Sequence, residues 1–381
     1  MAPVVLDVYD SDDPQSVIRK AITHLTNGEI VAFPTETVYG IAVRAGDSHA
    51  IERLFRAKSR STDKPMTLAI GIRERIEQFS HQQGPWMQRL ARRCWPGPLT
   101  MVVKTSANQG SLTRETLQWI APQGWLGLRV PSNEVLLAVL DQMDEPLVLT
   151  SANQSDQPDA TTASQVAEQL DESVPLILDG GPAKIGTPST VIQLHDDHIQ
   201  VLRWGVIDQP SLQQFLQLEI VLVCTGNTCR SPMAEALLKQ KLAQHHSLTQ
   251  PELADRGIHI SSAGISAGFG SPAATSAIDV LEHQNLDLRD HLSQPLSYSK
   301  ALSADLILTL TKSHHDAIVN QWPEFADKTK TLATDRCDVS DPIGGSFNVY
   351  EQCANQIEDL LEKRLPEIHN LAIPQQDFIR E

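Results

Sequence analysis

Several broad classes are excluded by what the chain has little of. Five cysteines in 381 residues (Cys94, Cys224, Cys229, Cys337 and Cys353) are few, odd in number and irregularly spaced, unlike the disulfide framework of a secreted fold. They form no pair of Cys-x-x-Cys elements and no Cys/His cluster, so no metal held directly by clustered side chains is expected. No apolar run reaches the length of a membrane-spanning helix, and Met1 is not followed by the basic segment and apolar core of a secretory leader. Positive charge is in deficit: 31 Lys and Arg against 47 Asp and Glu give a formal charge of −16. That balance suits neither a general nucleic-acid coat nor a binder of anionic membranes, though it leaves room for a local basic pocket. Internal repeats and low-complexity tracts are absent too. A cytoplasmic protein without membrane contact is the expectation.

A chain of this length exceeds one ordinary core and suits two domains. In the first half, β-rich runs at 29–34, 67–70, 99–103, 127–130, 147–150, 176–178, 190–194 and 199–203 alternate with helical patterns at 48–57, 133–140 and 162–170. So many strands predict a large mixed sheet with helices. The pattern lapses near Asp208-Gln209-Pro210, and a strict strand–helix alternation follows. Strands are expected at 219–223, 258–261, 305–309 and 329–332, with helices at 232–242, 272–283, 313–320 and 346–365. The second half therefore reads as a doubly wound, four-stranded parallel sheet, and the whole chain as α/β. The boundaries expected are 1–208 for the first domain, 209–218 for a linker and 219–381 for the second domain.

Ligands of such sheets bind beyond the carboxyl ends of strands. There the second half carries Cys224-Thr225-Gly226-Asn227-Thr228-Cys229-Arg230-Ser231-Pro232. Gly226 and Asn227 tolerate left-handed backbone angles, and proline suits the first turn of a helix. Backbone N–H groups of Thr225, Gly226, Asn227, Thr228 and Cys229 can point into such a loop and bind an anion, aided by the helix N-terminus. The same field favours the thiolate of Cys224, while Arg230 offers a fork to phosphate oxygens and Ser231 a hydrogen bond to sulfur. A thiolate nucleophile gives a phosphocysteine that water removes, and the leaving group needs a proton. Asp341, followed by Pro342 after the last strand, is the candidate acid. Cys229 reads equally as a packed helix-start residue or as the partner of a protective disulfide with Cys224.

This loop, with Ser262-Ala263-Gly264, Ala304-Asp305-Leu306-Ile307-Leu308 and Asp341-Pro342-Ile343-Gly344-Gly345, resembles the low-molecular-weight protein tyrosine phosphatase family over about residues 219–370. The resemblance implies that Cys224 is the nucleophile, Arg230 the phosphate clamp and Asp341 the general acid, acting on a phosphoprotein without a cofactor. Members that act on phosphotyrosine often carry aromatic residues after the Asp-Pro pair, where Ile343-Gly344-Gly345 has none. Thr228 and the Gly-Gly pair are similar to the branch that removes phosphate from arginine. Both substrates stay open. Arsenate reductases share the fold but need two further resolving cysteines on a mobile segment, which Cys337 and Cys353 fit poorly.

The first half clusters Pro34-Thr35-Glu36-Thr37-Val38-Tyr39-Gly40, Lys58-Ser59-Arg60 with Lys64-Pro65, Gly127-Leu128-Arg129-Val130-Pro131, Ser151-Ala152-Asn153, Pro188-Ser189-Thr190 and Arg203 at or behind strand ends. Arg44, Arg53, Arg56, Lys58, Arg60 and Lys64 concentrate positive charge in an acidic chain, as a triphosphate pocket requires. The sequence contains no GxxxxGK[ST] loop, so a P-loop site is excluded. Ser151 and Asn153 suit phosphate or a hydrated magnesium ion. These elements, in order over about residues 12–208, resemble the YrdC-like family of threonylcarbamoyl-AMP synthases. The resemblance implies a reaction of L-threonine, bicarbonate and ATP, the last carried with Mg2+, whose product feeds the machinery that modifies the tRNA adenosine beside the anticodon. By motif, Thr37, Arg129, Ser151 and Ser189 would contact threonine, and Lys58, Arg60, Lys64, Asn153, Thr161 and Arg203 would contact ATP. The chain departs from the family where a frequent histidine after Pro-Leu is missing from Pro65-Met66-Thr67-Leu68-Ala69, and where Gly-Leu-Gly becomes Gly40-Ile41-Ala42. A nucleotide- or RNA-binding unit without synthase activity is the alternative.

Overall fold

The structure, a computed structural model, describes residues 2–9, 13–59, 66–80, 84–106, 112–143, 145–335, 337–371 and 379–380. The chain divides into two compact units, Met1–Phe215 with Asp377–Glu381, and Leu216–Gln376.

In the first unit ten strands are β1 (Val4–Asp7), β2 (Val31–Phe33), β3 (Gly40–Arg44), β4 (Thr67–Ala69), β5 (Leu99–Lys104), β6 (Trp125–Arg129), β7 (Leu147–Ser151), β8 (Leu176–Asp179), β9 (Thr190–Leu194) and β10 (Ile199–Arg203). They lie in one mixed sheet in the order β1-β8-β2-β3-β7-β4-β6-β5-β9-β10, completed by the short strand Ile379–Arg380 pairing parallel with β10. Three of these strands are absent from the sequence expectation: β1, β3 and Ile379–Arg380. β1 has largely exposed side chains and so lacks an apolar signature. β3 opens on Gly40, where a Cβ would come within 2.8 Å of Leu149 Cδ1 on the neighbouring β7. The helices Pro14–Thr26, Pro85–Cys94 and Arg114–Ile120 are also additional. The first has proline in its first turn and buries Val17, Ile18, Ala21 and Leu25 along one stripe. That stripe and the helix Glu134–Gln142 pack on Val31, Phe33, Leu147 and Leu176.

The second unit has β11 (Leu218–Cys224), β12 (Ile258–Gly264), β13 (Leu306–Thr309) and β14 (Thr329–Thr331), all parallel, in the order β12-β11-β13-β14. β11 is buried on both faces, as a central parallel strand requires. Ile220 and Leu222 join a core with Met233, Leu237, Ile357 and Leu361, while Val221 and Val223 face Ala301, Ile318 and Phe325. The expected doubly wound sheet is therefore present, with helices Arg230–His245 and Phe347–Leu371 on one side and Lys312–Gln321 on the other. Residues of the expected linker form the helix Gln209–Leu216. Among the described residues no helix is long and apolar enough to cross a membrane.

Candidate active sites

A cavity of about 600 Å³ in the first unit is lined by Thr37, Lys58, Arg129, Ser151, Asn153, Ser189 and Arg203, seven residues singled out in the sequence. Thr37 sits in the turn between β2 and β3. There Thr35 Oγ1 bonds the carbonyl of Val38 at 2.6 Å and the Thr37 hydroxyl at 2.9 Å. Arg129, at the end of β6, donates from Nη2 to Glu36 Oε1 at 2.6 Å and Thr37 Oγ1 at 3.0 Å, and from Nε to the carbonyl of Gly97 at 3.1 Å. Glu36 Oε2 also accepts from the Ser132 N–H at 3.1 Å. Across the cavity, Arg203 donates to the Ser189 carbonyl at 2.8 Å and to its hydroxyl, which also meets Thr100 Oγ1. Burial pulls the Arg203 pKa below the usual arginine value, and Arg129 adds to this by like charge while Asp159 opposes it.

Lys58 is buried at the end of the helix Ser48–Ala57, and its ammonium donates to the Ser151 carbonyl at 2.6 Å, Asn153 Oδ1 at 3.1 Å and Ser151 Oγ at 3.2 Å. Ser151 and Asn153, suited in the sequence to phosphate or magnesium, thus already serve as acceptors for this cation. Thr161 departs from expectation. Its hydroxyl and N–H both donate to Gln165 Oε1, at 3.0 and 2.7 Å, and it takes no part in lining the cavity. The reason is local: Thr162 caps the helix Ala163–Leu170 and turns Gln165 back onto Thr161. Arg60 and Lys64 lie outside the described residues. Glu36, given no role in the sequence, is the residue that orients Arg129.

In the second unit Cys224 ends β11 and is 3% exposed. Its sulfur lies 3.0 Å from Ser231 Oγ and accepts the Asn227 N–H at 3.2 Å. Asn227 takes φ +55°, the left-handed angle expected of it, and is fully buried. Its Nδ2 donates to Ser231 Oγ and Ser262 Oγ, and its Oδ1 accepts the Gln294 N–H. Gly264 is required beside the loop, because a Cβ there would meet the Thr225 carbonyl at 2.4 Å. The following helix starts at Arg230, two residues earlier than expected, so the loop runs directly into its N-terminus. Cys229 is a free, packed thiol 3.3 Å from Tyr350 Oη, and burial raises that phenol above its usual value.

Arg230 donates from Nη2 to Asp341 Oδ2 at 2.6 Å and from Nη1 to the Val339 carbonyl at 3.3 Å. The two sequence candidates are thereby brought together, although 111 residues separate them. Two residues beyond the motifs complete the surroundings. His291 Nε2 bonds the Asn227 carbonyl at 2.7 Å, and His314 Nε2 meets Thr225 Oγ1 at 2.9 Å. Neither carried a sequence signal, since each acts across more than sixty residues. Among the described residues no group of His, Cys, Asp and Glu is arranged to hold a metal ion.

In the second unit a buried thiol at a strand end, an arginine fork and a carboxylate are thus gathered around one loop at a helix N-terminus. The comparisons with known proteins agree with both halves. The Sua5–YciO–YrdC family model, described as telomere recombination, matches residues 23–205, and the low molecular weight phosphotyrosine protein phosphatase model matches residues 219–372. The chain is 35% identical over 199 residues to a threonylcarbamoyl-AMP synthase of Pyrococcus abyssi, covering 52% of this chain and 57% of that protein. It is 37% identical over 150 residues to a protein-arginine-phosphatase of Bacillus subtilis, covering 38% of this chain and 93% of that one. The crystal structure of P. abyssi Sua5 complexed with L-threonine aligns over 93% of this chain and 97% of that chain, with TM-score 0.51 and 20% identity, a likeness of fold. The chain belongs to both families, joining a Sua5/YrdC unit to a low-molecular-weight phosphatase unit. Its match spans a little over half the length of the Pyrococcus synthase.

Proposed function

We propose that the chain carries two activities, one in each unit. In the first, the amine of L-threonine bonds the carbon of bicarbonate with loss of water, and an oxygen of the resulting carbamate attacks the α-phosphorus of ATP, breaking its bond to pyrophosphate and leaving threonylcarbamoyl-AMP for a tRNA-modifying transferase. Thr37, Arg129, Ser151 and Ser189 hold the amino acid. Lys58, Asn153 and Arg203, with Arg60 and Lys64 by motif, hold ATP, which arrives with its magnesium ion. Catalysis there is mainly positioning and charge neutralisation. The observation that carries this proposal is the single cavity onto which Thr37, Arg129, Ser189, Lys58 and Arg203 converge. Threonine- and bicarbonate-dependent pyrophosphate release tests it, and Arg60→Ala should abolish the release. ATP binding without pyrophosphate release would instead make the unit a nucleotide-binding module.

In the second unit the Cys224 sulfur attacks phosphorus, the bond to the leaving group breaks, and Asp341 gives that group its proton. Water, deprotonated by Asp341, then displaces the sulfur, and Ser231 donates to the departing thiolate. The carrying observation is the Cys224 sulfur held between the Ser231 hydroxyl and the Asn227 N–H, with Arg230 and Asp341 paired above the same loop. Phosphoarginine is the proposed substrate. Three things support it: Thr228 in the loop, the absence of an aromatic residue at Ile343-Gly344-Gly345, and the likeness to a protein-arginine-phosphatase. Hydrolysis of phosphoarginine and phosphotyrosine should be compared in the intact chain and in Thr228→Ala. Faster turnover of phosphotyrosine, indifferent to Thr228, would refute the choice. Cys224→Ser should abolish either hydrolysis and leave pyrophosphate release untouched.

A further inference from the structure

His314 occupies the first turn of the helix Lys312–Gln321 and is 3% exposed. Its ring joins two threonines. Nε2 lies 2.9 Å from Oγ1 of Thr225, the first residue after the nucleophile, and Nδ1 lies 2.9 Å from Oγ1 of Thr311, which caps the helix. The same helix start anchors the segment leading to Asp341. The Lys312 N–H donates to Asp338 Oδ1 at 2.7 Å, and the Val339 N–H donates to the Leu310 carbonyl at 2.9 Å. One short stretch, residues 310–314, therefore grips both the phosphate loop and the acid loop.

Burial and the nearby Arg230 charge lower His314 to about 4, so near neutrality the ring carries one N–H and one lone pair. A neutral imidazole can donate to one threonine and accept from the other, a bridge no aliphatic side chain reproduces. Thr225 contributes a backbone N–H beside the nucleophile, so a loose Thr225 side chain leaves that part of the cradle unreferenced to the acid.

We propose that His314 is a positioning residue for phosphoryl transfer, fixing the phosphate loop through Thr225 at a set distance from the loop that carries Asp341. The proposal rests on the phosphatase activity inferred above. Loss of such a reference costs about 10- to 100-fold in rate, the scale expected of a displacement near 1 Å at a reacting centre.

The test uses the full chain with phenyl phosphate, whose leaving group depends on the acid, and the variants His314→Gln, His314→Asn, Thr225→Val and the double His314→Asn/Thr225→Val. A glutamine amide reaches the place of Nε2 and keeps the bond to Thr225. An asparagine amide reaches only the place of Nδ1. His314→Asn should lower kcat/KM by about 10- to 100-fold, His314→Gln should recover most of it, and Thr225→Val should match His314→Asn. The double variant should be no worse than either single, the mark of two groups acting as one. Native alkylation of the buried Cys353 thiol should be equally slow in all, which separates positioning from misfolding. Equal rates for His314→Asn and His314→Gln, or additive losses in the double variant, overturn the proposal while leaving the phosphatase activity standing. A wild-type chain no faster than Cys224→Ser removes both.

Discussion

Truncating Asn227 to alanine should remove much of the stability of the second unit. The side chain is fully buried and makes three hydrogen bonds: to Ser231 Oγ at 2.9 Å, to Ser262 Oγ at 2.8 Å, and from the Gln294 N–H at 2.9 Å. Alanine deletes all three. The Gln294 N–H is left without its acceptor, which costs about 1–3 kcal/mol, and the two bonds to serine contribute about 1 kcal/mol each. The backbone at φ +55° adds about 1 kcal/mol for a residue that cannot hydrogen-bond locally. Together these reach roughly 4–6 kcal/mol, comparable with the whole margin of a small domain, about 5–15 kcal/mol. Tryptophan fluorescence would report mainly the first unit, which holds Trp86, Trp95, Trp119, Trp125 and Trp204 against Trp322 in the second. Pulsed alkylation of Cys353 across a urea series reads the right unit, because that thiol is 3% exposed until the unit opens. Asn227→Gly should lie about 1 kcal/mol above Asn227→Ala, since glycine tolerates the angle. A loss below about 1 kcal/mol in Asn227→Ala would refute the network as a source of stability.

Glu36→Gln should destabilise the first unit by about 2–4 kcal/mol, because the side chains of Glu36 and Arg129 are only 10% and 8% exposed and the cation would lose its countercharge. The urea midpoint by tryptophan fluorescence measures it, and an unchanged midpoint contradicts it. His314 gives the second unit an acid sensitivity. Its folded pKa of about 4 lies below the ordinary 6.5, so the unfolded chain binds more protons between those values, and stability is full above pH 6.5 and lost as pH falls toward 4. Burial is the largest cause of the shift; the Arg230 charge lowers the ring further, and Asp338 and Asp341 raise it. The loss approaches about 3 kcal/mol at the acid end, and His314→Gln should flatten the Cys353 alkylation midpoint across that window. Asp341→Asn should reduce kcat/KM by about 10²- to 10⁴-fold for phenyl phosphate and much less for p-nitrophenyl phosphate, whose leaving group needs less protonation. Equal losses on both would remove Asp341 as the acid.

The second half was the more legible because its chemistry is written contiguously. Eight consecutive residues from Cys224 to Ser231 carry strand end, turn and helix start, and each apolar strand alternates with a helix. The first half spreads its site over strand ends from Thr37 to Arg203, so the residues could be named but not their partners. Lys58 reads in sequence as one of a run of cations, and nothing there shows that the Ser151 carbonyl, 93 residues away, draws its ammonium inward. β3 was missed for a related reason. Its alternation is masked by burial on both faces, and what fixes it is the close approach of β7 to Gly40. His314 lies at the far limit of legibility: the sequence places it only inside a predicted helix, and the fold alone brings Thr225 to one side of its ring and the capping Thr311 to the other.

Each unit pairs an arginine with a carboxylate in its site, but the two pairs differ physically. Glu36 is as buried as Arg129, and Thr37 and Gly97 also hold the guanidinium. Exchanging that partner for a ligand would strand a buried carboxylate, so Arg129 is a preformed fixture whose orientation Glu36 sets. Asp341, in contrast, is 48% exposed while Arg230 is 7% exposed. A phosphoryl group entering the Cys224 loop carries more charge than a carboxylate and matches the same fork, and the displaced Asp341 is rehydrated at little cost. The contact of Asp341 with Arg230 is therefore its resting position. In the proposed reaction the substrate takes the guanidinium and turns the carboxyl group toward the leaving atom, so binding of the phosphoryl group and placement of the acid become one event.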